Sequence, residues 1–404
     1  MTLPIVRLGK YEWRRIRSGH PWIYPKSIQS VPDRLETGDL VQVLGPREES
    51  VGVAVYHPGS KIRLRVLTTE VEVIDQSFFE KRLRAALFYR KKVLPGSNSF
   101  RLINSESDGL SGLIIDVYER AVLFQITSAG LEKLKTSMIA AIDNVLDPEI
   151  LIERNDVANR KFEGLPEHKE VHKTPPNVSL NAYPVTIDGV SYELDLWEGN
   201  KTGLYLDQIQ NHSKFSKLLE QFPSKRVLDC FSYVGGFSIR AAMNDQVEEV
   251  VGLDQSAECV AKAELHAKLN NVDPKCEFIK TNVFDWLREK ASGIEPENQF
   301  DVIILDPPSF TKNRHAVEGA IRGYRELHVR ALKLLKSGGL LFTYSCSHHI
   351  SDDLLRSIAF ESACDTQTHV YEIESHRQSL DHPINPSIPE SYYLKGFVYF
   401  KKEG

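Results

Sequence analysis

The sequence predicts an α/β protein whose C-terminal part is a doubly wound, mostly parallel sheet with an antiparallel strand pair at one edge. Strand-like and helix-like segments alternate after about residue 181, which is typical of a parallel sheet with helices on both faces. Upstream, short β-rich runs predict a small β-barrel or β-sandwich, and a helical pattern beginning at Ser77 opens a mixed α+β region. We therefore divide the chain into three domains, at residues 1–72, 73–180 and 181–404.

The N-terminal domain is predicted from three apolar, β-branched runs that are separated by Gly and Pro turn signals. The runs are Leu40–Leu44, Val51–Tyr56 and Ile62–Leu67. In the middle domain, the helix from Ser77 is followed by two strands and a second helix, at Leu113–Asp116, Val122–Ile126 and Leu131–Leu146. The Gly164–Pro166 and Pro175–Pro176 segments are typical of a linker, which ends this domain.

Five strands of the C-terminal sheet follow from apolar runs of strand length, with enough chain between them for crossover helices. These strands are Arg226–Phe231, Glu249–Leu253, Cys276–Ile279, Asp301–Leu305 and Gly339–Ser345. Two later segments, His369–Ile373 and Tyr392–Phe400, have no crossover helix between them. They predict the antiparallel pair at the edge of the sheet.

The composition excludes several classes of protein. The chain has 404 residues, of which 41% are hydrophobic and 26% charged, as in ordinary globular proteins. No apolar stretch approaches the roughly 20 residues that a membrane helix needs, so we expect no membrane partner. The five cysteines are scattered and include no Cys-x-x-Cys pair, which argues against a metal site or a disulfide framework. We expect a cytoplasmic protein with reduced thiols and no metal.

The net charge of -5, from 50 Lys+Arg and 55 Asp+Glu, is an average over unlike regions. The first 35 residues contain seven bases and only two acids. A charge run is usually a solvated face, but an aromatic ring beside it can stack on exposed bases of RNA. The bases and the ring that we predict to bind RNA are Arg14, Arg15, Arg17 and Trp22.

Two glycines and an aspartate predict a nucleoside site at the first two strands of the C-terminal sheet. Gly235 and Gly236 open a helix, so backbone there can approach a bound group closely. Asp254 ends the next strand, where a carboxylate can accept both hydroxyls of a ribose. Tyr233 stands where a dinucleotide fingerprint has an early glycine, and it leaves no room for a pyrophosphate. These residues favour S-adenosylmethionine, which contains adenine and ribose but no phosphate, over a nicotinamide cofactor.

Two further strands bring reactive side chains to the same edge of the sheet. Asp306 ends a buried apolar run and precedes two prolines, which make a rigid loop. Cys346 follows the next strand among serines and histidines, a polar setting in which a thiolate could form below its free pKa of about 8.5. We predict that Asp306 and Cys346 are catalytic.

Several motifs together resemble one family. They are Phe231-Ser-Tyr-Val-Gly-Gly236, Asp306-Pro-Pro-Ser-Phe310, Tyr344-Ser-Cys-Ser347, Tyr393-Leu-Lys-Gly-Phe397, Gly19-His-Pro-Trp-Ile23 and Lys201-Thr-Gly-Leu-Tyr-Leu-Asp-Gln208. Over nearly its whole length the chain resembles the bacterial class I S-adenosylmethionine-dependent large-subunit rRNA cytosine-carbon-5 methyltransferases. The resemblance implies a Rossmann-like methyltransferase domain, an N-terminal PUA-like RNA-binding domain, S-adenosyl-L-methionine as cofactor and rRNA as partner.

The resemblance also implies roles for residues that match the family's motifs. Those that would line the cofactor pocket are Phe231, Ser232, Tyr233, Gly235, Asp254, Asn282 and Asp306. A segment containing Lys201, Asp207 and Gln208 would fold over the same pocket. Asn282 would lie near adenine, although an Asp is common in the family at this position.

The expected chemistry is formation of 5-methylcytosine. Carbon 5 of cytosine is a poor nucleophile, so we expect the Cys346 thiolate to add to carbon 6 first, with Asp306 hydrogen-bonded near ring nitrogen 3. A related group of RNA cytosine methyltransferases has a second Cys that assists product release, and Ser309 stands there in this chain.

Other functions stay open. One is methylation of a ring nitrogen or exocyclic amine of an RNA base, which needs no covalent intermediate. Another is a non-catalytic RNA-binding ribosome-assembly factor, and a remote one is a nicotinamide-dependent oxidoreductase, which Tyr233 disfavours. The sequence also leaves open the target nucleotide, the base that removes the carbon 5 proton, whether the rRNA is naked or partly assembled, and homodimer formation.

Overall fold

The first strands of the chain form a six-stranded sheet. The computed structural model describes residues 3–199, 202–293, 295, 299–311 and 316–403. The strands are β1 (Ile5–Leu8), β2 (Trp22–Ile23), β3 (Ile28–Ser30), β4 (Leu40–Leu44), β5 (Ser50–Tyr56) and β6 (Leu64–Thr68), in the spatial order β2-β6-β5-β4-β1-β3. Val41 and Val43 are fully buried and alternate with more exposed residues, so one face of β4 packs on the core. The predicted runs are confirmed as strands, and a short helix that the sequence did not predict, α1 (Trp13–Arg17), lies between β1 and β2.

A five-stranded sheet with helices follows. Its first helix, α2 (Gln76–Val93), begins where the Asp75 carboxylate accepts a hydrogen bond from the Phe78 amide at 3.1 Å. The later elements are β7 (Ser99–Asn104), β8 (Leu113–Tyr118), β9 (Ala121–Ile126), α3 (Ala129–Lys133), α4 (Lys135–Leu146), β10 (Ile150–Asn155) and β11 (His168–Lys173), with strand order β11-β10-β9-β8-β7. The sequence did not predict β7, β10 and β11. β11 reads HKEVHK, so no apolar alternation marks it.

A two-stranded sheet joins this region to the C-terminal part. It consists of β12 (Tyr183–Ile187) and β13 (Val190–Leu194). The two residues between them, Asp188 and Gly189, both have positive φ, 49° and 80°. An Asp-Gly pair in this conformation is typical of a tight β-hairpin turn.

The C-terminal sheet has seven strands. They are β14 (Arg226–Cys230), β15 (Glu249–Asp254), β16 (Cys276–Lys280), β17 (Phe300–Leu305), β18 (Leu335–Ser345), β19 (Val370–Arg377) and β20 (Lys395–Lys401), in the order β16-β15-β14-β17-β18-β20-β19. The helices of this part are α5 (Ile209–Gln221), α6 (Gly236–Ala242), α7 (Ala257–Leu269), α8 (Val283–Lys290), α9 (Val317–Leu334) and α10 (Asp352–Asp365). β14 to β18 pair in parallel, whereas β20 is antiparallel to both β18 and β19. The predicted α/β fold with an antiparallel pair at one edge is therefore confirmed.

The register of this sheet places its functional residues at one edge. Cys230 of β14 lies opposite Leu253 of β15 and Leu305 of β17, and Leu305 lies opposite Thr343 of β18. The residues that follow these four strands therefore emerge side by side. The sheet is buried on both faces, as parallel sheets usually are, because successive residues such as Ile303 and Ile304 pack into different apolar clusters.

The chain folds into two compact units. The first contains Met1–Val185, Leu194–Asp207 and Leu380–Ser391, and the second contains Thr186–Glu193, Gln208–Ser379 and Tyr392–Gly404. The seven-stranded sheet lies in the second unit. Among the described residues, none of the helices has both the length and the apolar character to cross a membrane. The three-domain division remains a prediction from the sequence.

Candidate active site

The loop after β14 has an unusual backbone. Phe231, Tyr233 and Gly235 have φ angles of 66°, 51° and 87°. A non-glycine residue in this left-handed region costs roughly 1–2 kcal/mol. Two hydrogen bonds hold the loop: the Ser232 amide donates to the Leu253 carbonyl and the Gly235 amide donates to the Ser232 carbonyl, each at 2.8 Å. Strained backbone of this kind clusters at binding sites, in agreement with the predicted cofactor loop.

Asp254, at the end of β15, is held in place by the same loop. Its Oδ2 accepts a hydrogen bond from the Tyr233 amide at 3.0 Å, and its Oδ1 accepts one from the Ser256 amide at 2.8 Å. Each carboxylate oxygen keeps a further lone pair, and the residue is only partly buried. The carboxylate is thus oriented by its neighbours and can still accept ribose hydroxyls.

The buried hydroxyl of Ser232 bears on whether this loop can bind a polar ligand. The residue is 5% exposed, and no hydrogen-bond partner for its Oγ is found within the described part of the chain. Buried hydroxyls nearly always have a partner, so an orphaned one points to a ligand that supplies it. Backbone amides, the Asp254 carboxylate and this hydroxyl together match the ribose and amino-acid groups of S-adenosylmethionine.

Asn282 lies two positions after β16 and caps the next helix. Its Oδ1 accepts hydrogen bonds from the amides of Phe284 at 2.9 Å and Asp285 at 3.4 Å, which starts α8. The exposed side chain keeps its amide nitrogen as a donor. A donor at this strand end suits a ring nitrogen of adenine, whereas an Asp at the same position would offer only an acceptor.

Asp306, at the end of β17, is oriented by a chain of amides. Its Oδ2 accepts a hydrogen bond from Gln208 Nε2 at 2.9 Å, and Gln208 Oε1 accepts one from Asn211 Nδ2 at 2.6 Å. Gln208 is 5% exposed and Asn211 is fully buried. The structure therefore brings Gln208 and Asp306 together, as the resemblance implied. Asn211 was missed, although its spacing of three residues from Gln208 at a helix start could have indicated the contact.

Cys346 follows β18 at the same edge and is partly buried. The neighbouring loops are tied together, since the hydroxyls of Ser347 and Thr311 share a hydrogen bond. Burial raises the pKa of the phenol of Tyr324, a fully buried residue of α9; a hydrogen bond with Ser345 lowers it, and the charges of Cys346 and Asp306 raise it. Tyr324 is therefore close enough to both catalytic candidates to be influenced by their charges, which the sequence did not predict.

The other cysteines differ from Cys346 in their surroundings. Burial raises the pKa of the Cys230 thiol, and it also raises the pKa of Cys276, to about 12. Cys259 is buried near a helix start, and its pKa is raised for the same reason. Cys364 is exposed near the end of α10. A thiolate is disfavoured at the first three sites.

Asp229, within β14, is a buried carboxyl group that sequence reasoning also missed. Its Oδ2 accepts hydrogen bonds from the Ser238 amide at 3.1 Å and the Ser238 hydroxyl at 2.6 Å. Burial raises the pKa of Asp229 to about 7, although both hydrogen bonds act in the opposite direction. The Asp229 side chain therefore links β14 to α6, the two elements on either side of the cofactor loop.

The four residues predicted to bind RNA lie in the first unit and have different environments. Arg14 and Arg17 of α1 are exposed, and neither has an ion pair with another described residue. Arg15 instead bonds Glu390 at 3.0 Å. The Trp22 indole nitrogen donates to Glu106 at 3.0 Å. Arg14 and Arg17 are therefore the cations of this set that face solvent.

Two residues of the predicted cofactor segment cannot be assigned to the pocket. Lys201 lies outside the described residues. Asp207 is in the helical turn Leu206–Gln208 and belongs to the first unit, whereas Gln208 belongs to the second. The roles of Lys201 and Asp207 remain predictions.

A second polar cluster surrounds Glu153 in the first unit. The buried Glu153 carboxylate contacts His168 at 2.8 Å and His172 at 3.0 Å, and carboxylates nearby give metal-ligand spacing. The Lys135 ammonium also lies 3.3 Å from Glu153 Oε1. A cation in that place opposes metal binding, and the protein's own donors already satisfy the carboxylate. The absence of a metal stays a prediction.

Comparison with known proteins agrees with this geometry. Residues 6–69 match a PUA-like domain, and residues 175–382 match the S-adenosylmethionine-dependent methyltransferase family. A protein of Streptococcus mutans assigned as an S-adenosylmethionine-dependent methyltransferase has the same fold, with a TM-score of 0.81 at 20% identity over 98% of this chain and 100% of its own. A solved methyltransferase in complex with SAH gives the same TM-score, 0.81, over 99% of this chain.

Two relatives are similar over their full length. Ribosomal RNA large subunit methyltransferase I of Klebsiella pneumoniae (strain 342) is 36% identical over 401 residues, 98% of either chain. The protein of the same name from Escherichia coli (strain SMS-3-5 / SECEC) is 36% identical over 397 residues, 97% of this chain and 98% of its own. The chain therefore belongs to the family of S-adenosylmethionine-dependent methyltransferases that contains the ribosomal RNA large subunit methyltransferase I proteins, and its cofactor is S-adenosylmethionine.

Proposed function

We propose that this protein methylates carbon 5 of a cytosine in large-subunit rRNA, through a covalent adduct between Cys346 Sγ and carbon 6 of the base. The names of its full-length relatives support the rRNA substrate. The PUA-like domain supports recognition of RNA. The choice of carbon 5 rests on Cys346, because methylation of a ring nitrogen or an exocyclic amine requires no nucleophile from the enzyme.

The observation that carries this proposal is the placement of Asp306 and Cys346. They follow the adjacent parallel strands β17 and β18, whose register sets Leu305 opposite Thr343. The hydrogen bond between Thr311 and Ser347 joins the loops on which they stand. A thiol and a carboxyl group at one sheet edge, next to the cofactor loop, provide a nucleophile and a hydrogen-bonding group for one base.

The residues of this chain account for the steps as follows. The Cys346 thiolate adds to carbon 6 of cytosine, a carbon–sulfur bond forms, and the ring electrons move so that carbon 5 becomes nucleophilic. Asp306 hydrogen-bonds the base near nitrogen 3, where negative charge develops. When bound, S-adenosylmethionine supplies the electrophilic methyl group that carbon 5 accepts.

The adduct must then be released. Removal of the proton on carbon 5 by a base restores the double bond, and the carbon–sulfur bond breaks to return the Cys346 thiolate. Ser309 is exposed and its hydroxyl donates to the Thr311 carbonyl at 3.2 Å, so the residue after the two prolines contributes a hydroxyl here and no thiol.

The Asp306 carboxyl is held for this role by Gln208. The Gln208 amide donates to one carboxyl oxygen, and Asn211 fixes the amide so that it cannot turn its oxygen toward Asp306. In this proposal the other oxygen of Asp306 is the one that hydrogen-bonds the base. The Gln208 segment contributes to catalysis in this proposal by setting that orientation.

RNA containing 5-fluorocytidine tests the covalent step, because fluorine on carbon 5 cannot leave as a proton and the adduct accumulates. We expect a denaturation-resistant protein–RNA complex with the wild type and none with Cys346→Ala. Cys364→Ala is the matched control, since it removes an exposed cysteine away from the sheet edge. This variant should form the denaturation-resistant complex to the same extent as the wild type. Methyl transfer without any trapped complex would indicate a nitrogen target instead.

Mapping of 5-methylcytosine by bisulfite sequencing of rRNA tests the target. Large-subunit rRNA from cells without the gene should lack one 5-methylcytosine that returns with the wild-type gene and not with Cys346→Ala. Failure of the purified protein to bind S-adenosylmethionine in calorimetry would instead favour a ribosome-assembly factor without turnover.

A further inference from the structure

Lys395 is a buried lysine next to the proposed nucleophile. It is 3% exposed and begins β20, directly opposite Ser345, the last residue of β18. Its Nζ donates to the Ser347 carbonyl at 2.9 Å and to the Tyr393 carbonyl at 3.1 Å. The ammonium therefore bonds the backbone of Ser347, the residue that follows Cys346 on the side away from β18.

The loop that carries Cys346 is fixed from two sides. Ser347 is buried; its carbonyl accepts from Lys395, and its hydroxyl bonds Thr311. Lys395 belongs to β20 and Thr311 follows β17, which are the two strands that flank β18. Both neighbours of Cys346 in the chain are therefore held, Ser345 by the sheet register and Ser347 by these side chains.

The charge of Lys395 lacks a close anion. Within the described residues, no carboxylate lies within 4.0 Å of its Nζ, and its direct partners are neutral carbonyls. Burial lowers the pKa of Lys395, while the charges of Asp352 and Cys346 raise it at longer range. A buried ammonium is costly unless an anion compensates it. Ionisation of Cys346 would provide that anion.

We propose that Lys395 is a positioning residue for Cys346: its ammonium stabilises the Cys346 thiolate and holds the loop in the conformation that presents Sγ to the base. This inference rests on the proposed covalent mechanism. The other titratable groups around the pair include Asp306 after β17, Tyr324 on α9, Asp352 on α10 and His348 on the same loop. Tyr392 is a further one: its ring centroid lies 5.3 Å from the Lys395 Nζ, and its hydroxyl donates to Asp352 at 2.7 Å. The two carboxyl groups disfavour a thiolate, and the Lys395 cation acts in the opposite direction.

Lys401 provides a matched control on the same strand. Its Nζ also donates to two backbone carbonyls, those of Leu332 and Leu335, both at 2.7 Å, and burial lowers its pKa as well. Cys346 has no influence on it. Lys401→Met therefore removes a partly buried ammonium with similar carbonyl partners, without changing the surroundings of the nucleophile.

The test is the pH dependence of Cys346 alkylation by iodoacetamide, followed by mass spectrometry of the modified peptide from the full-length protein, with Cys364 as the internal reference. We expect a wild-type midpoint at least about one pH unit below the free-thiol value of about 8.5. Lys395→Met should raise this midpoint by about one unit, which is about tenfold slower alkylation at neutral pH. Lys401→Met should leave it unchanged.

A second variant separates charge from hydrogen bonding. Lys395→Gln keeps a donor for the Ser347 carbonyl but has no charge, so we expect it to fold, to bind S-adenosylmethionine and to show the raised midpoint. Its kcat for methyl transfer should fall about tenfold, with KM for RNA within about twofold of the wild type. A fall that appears only in KM would contradict a role in activating the thiol.

The outcomes distinguish this inference from the proposed function. A wild-type midpoint at or above that of a free thiol overturns the role of Lys395 without reference to any variant. The same holds if Lys395→Gln leaves the midpoint unchanged while Cys346→Ala abolishes methyl transfer, in which case the covalent mechanism stands. Full activity of Cys346→Ala would overturn the proposed function and, with it, the catalytic meaning of Lys395.

Discussion

The buried carboxyl group of Asp229 makes the stability of the protein depend on pH in a direction that can be calculated. Its pKa rises from 3.8 to about 7 because of burial. Between these values the folded state binds a proton that the unfolded state has lost, so stability falls as pH rises. A shift of about three units corresponds to a total of about 4 kcal/mol, reached above pH 7.

Asp229→Asn should remove this dependence. The amide keeps an oxygen that accepts from Ser238 but carries no ionisable proton, so its contribution is the same at every pH. From pH 5 to pH 8, the wild type should lose about 3 kcal/mol of stability relative to the variant. The free energy of unfolding, measured in urea by circular dichroism at several pH values, gives this difference directly.

Asp301→Asn is the matched control. Burial of Asp301 acts to raise its pKa, but Lys336 and the amides of Arg226 and Lys225 outweigh burial and lower it. This carboxylate stabilises the fold above its unfolded pKa and loses its effect in acid, so Asp301→Asn should be destabilising by a constant amount between pH 5 and pH 8. Parallel curves for the wild type and Asp229→Asn over the same range would refute the reasoning.

Three further predictions concern the cofactor, the base and the RNA. Asp254→Asn should weaken S-adenosylmethionine binding by about tenfold or more in calorimetry, since a carboxylate is a stronger acceptor than an amide; an unchanged Kd would remove Asp254 from the ribose site. Gln208→Leu removes the donor to Asp306 Oδ2 and should lower kcat about tenfold with cofactor affinity retained, whereas a loss of cofactor affinity alone would assign Gln208 to binding. Arg14→Ala combined with Arg17→Ala should weaken rRNA binding and reduce the salt slope by about 1.4, measured by filter binding at several salt concentrations; an unchanged slope would move the RNA surface elsewhere.

The edge of the sheet on which the site stands could be predicted because it follows from local patterns. Continuous apolar runs predict parallel strands, and the rule that their carboxyl ends meet brings Asp254, Asp306 and Cys346 together before any contact is known. This prediction needs only the positions of the apolar runs in the sequence and the assumption that the strands are parallel. The structure confirms the strands and the shared edge.

The contacts that adjust these groups could not be predicted in the same way. Lys395 reaches the Cys346 loop only because β20 pairs with β18 in one particular register, and the residues are 49 positions apart. Residue type also does not reveal partners that are distant in the sequence. Arg15 and Trp22 are predicted to bind RNA, and the structure adds that they bond Glu390 and Glu106, which lie far along the chain. Their role in RNA binding stays a prediction.

The position of β20 has a consequence for folding during synthesis. β19 is made before β20, yet β20 is the strand to which it is hydrogen-bonded in the sheet. Until residues 395–401 have emerged from the ribosome, β19 has no partner and β18 has an open edge, a configuration that favours intermolecular strand pairing. The strands β14 to β16, which carry the cofactor loop and Asp254, pair with one another and do not depend on β20. A ribosome stalled before residue 395 would therefore carry a chain in which the cofactor-binding strands β14 to β16 can pair while the Cys346 loop still lacks its contact with Lys395.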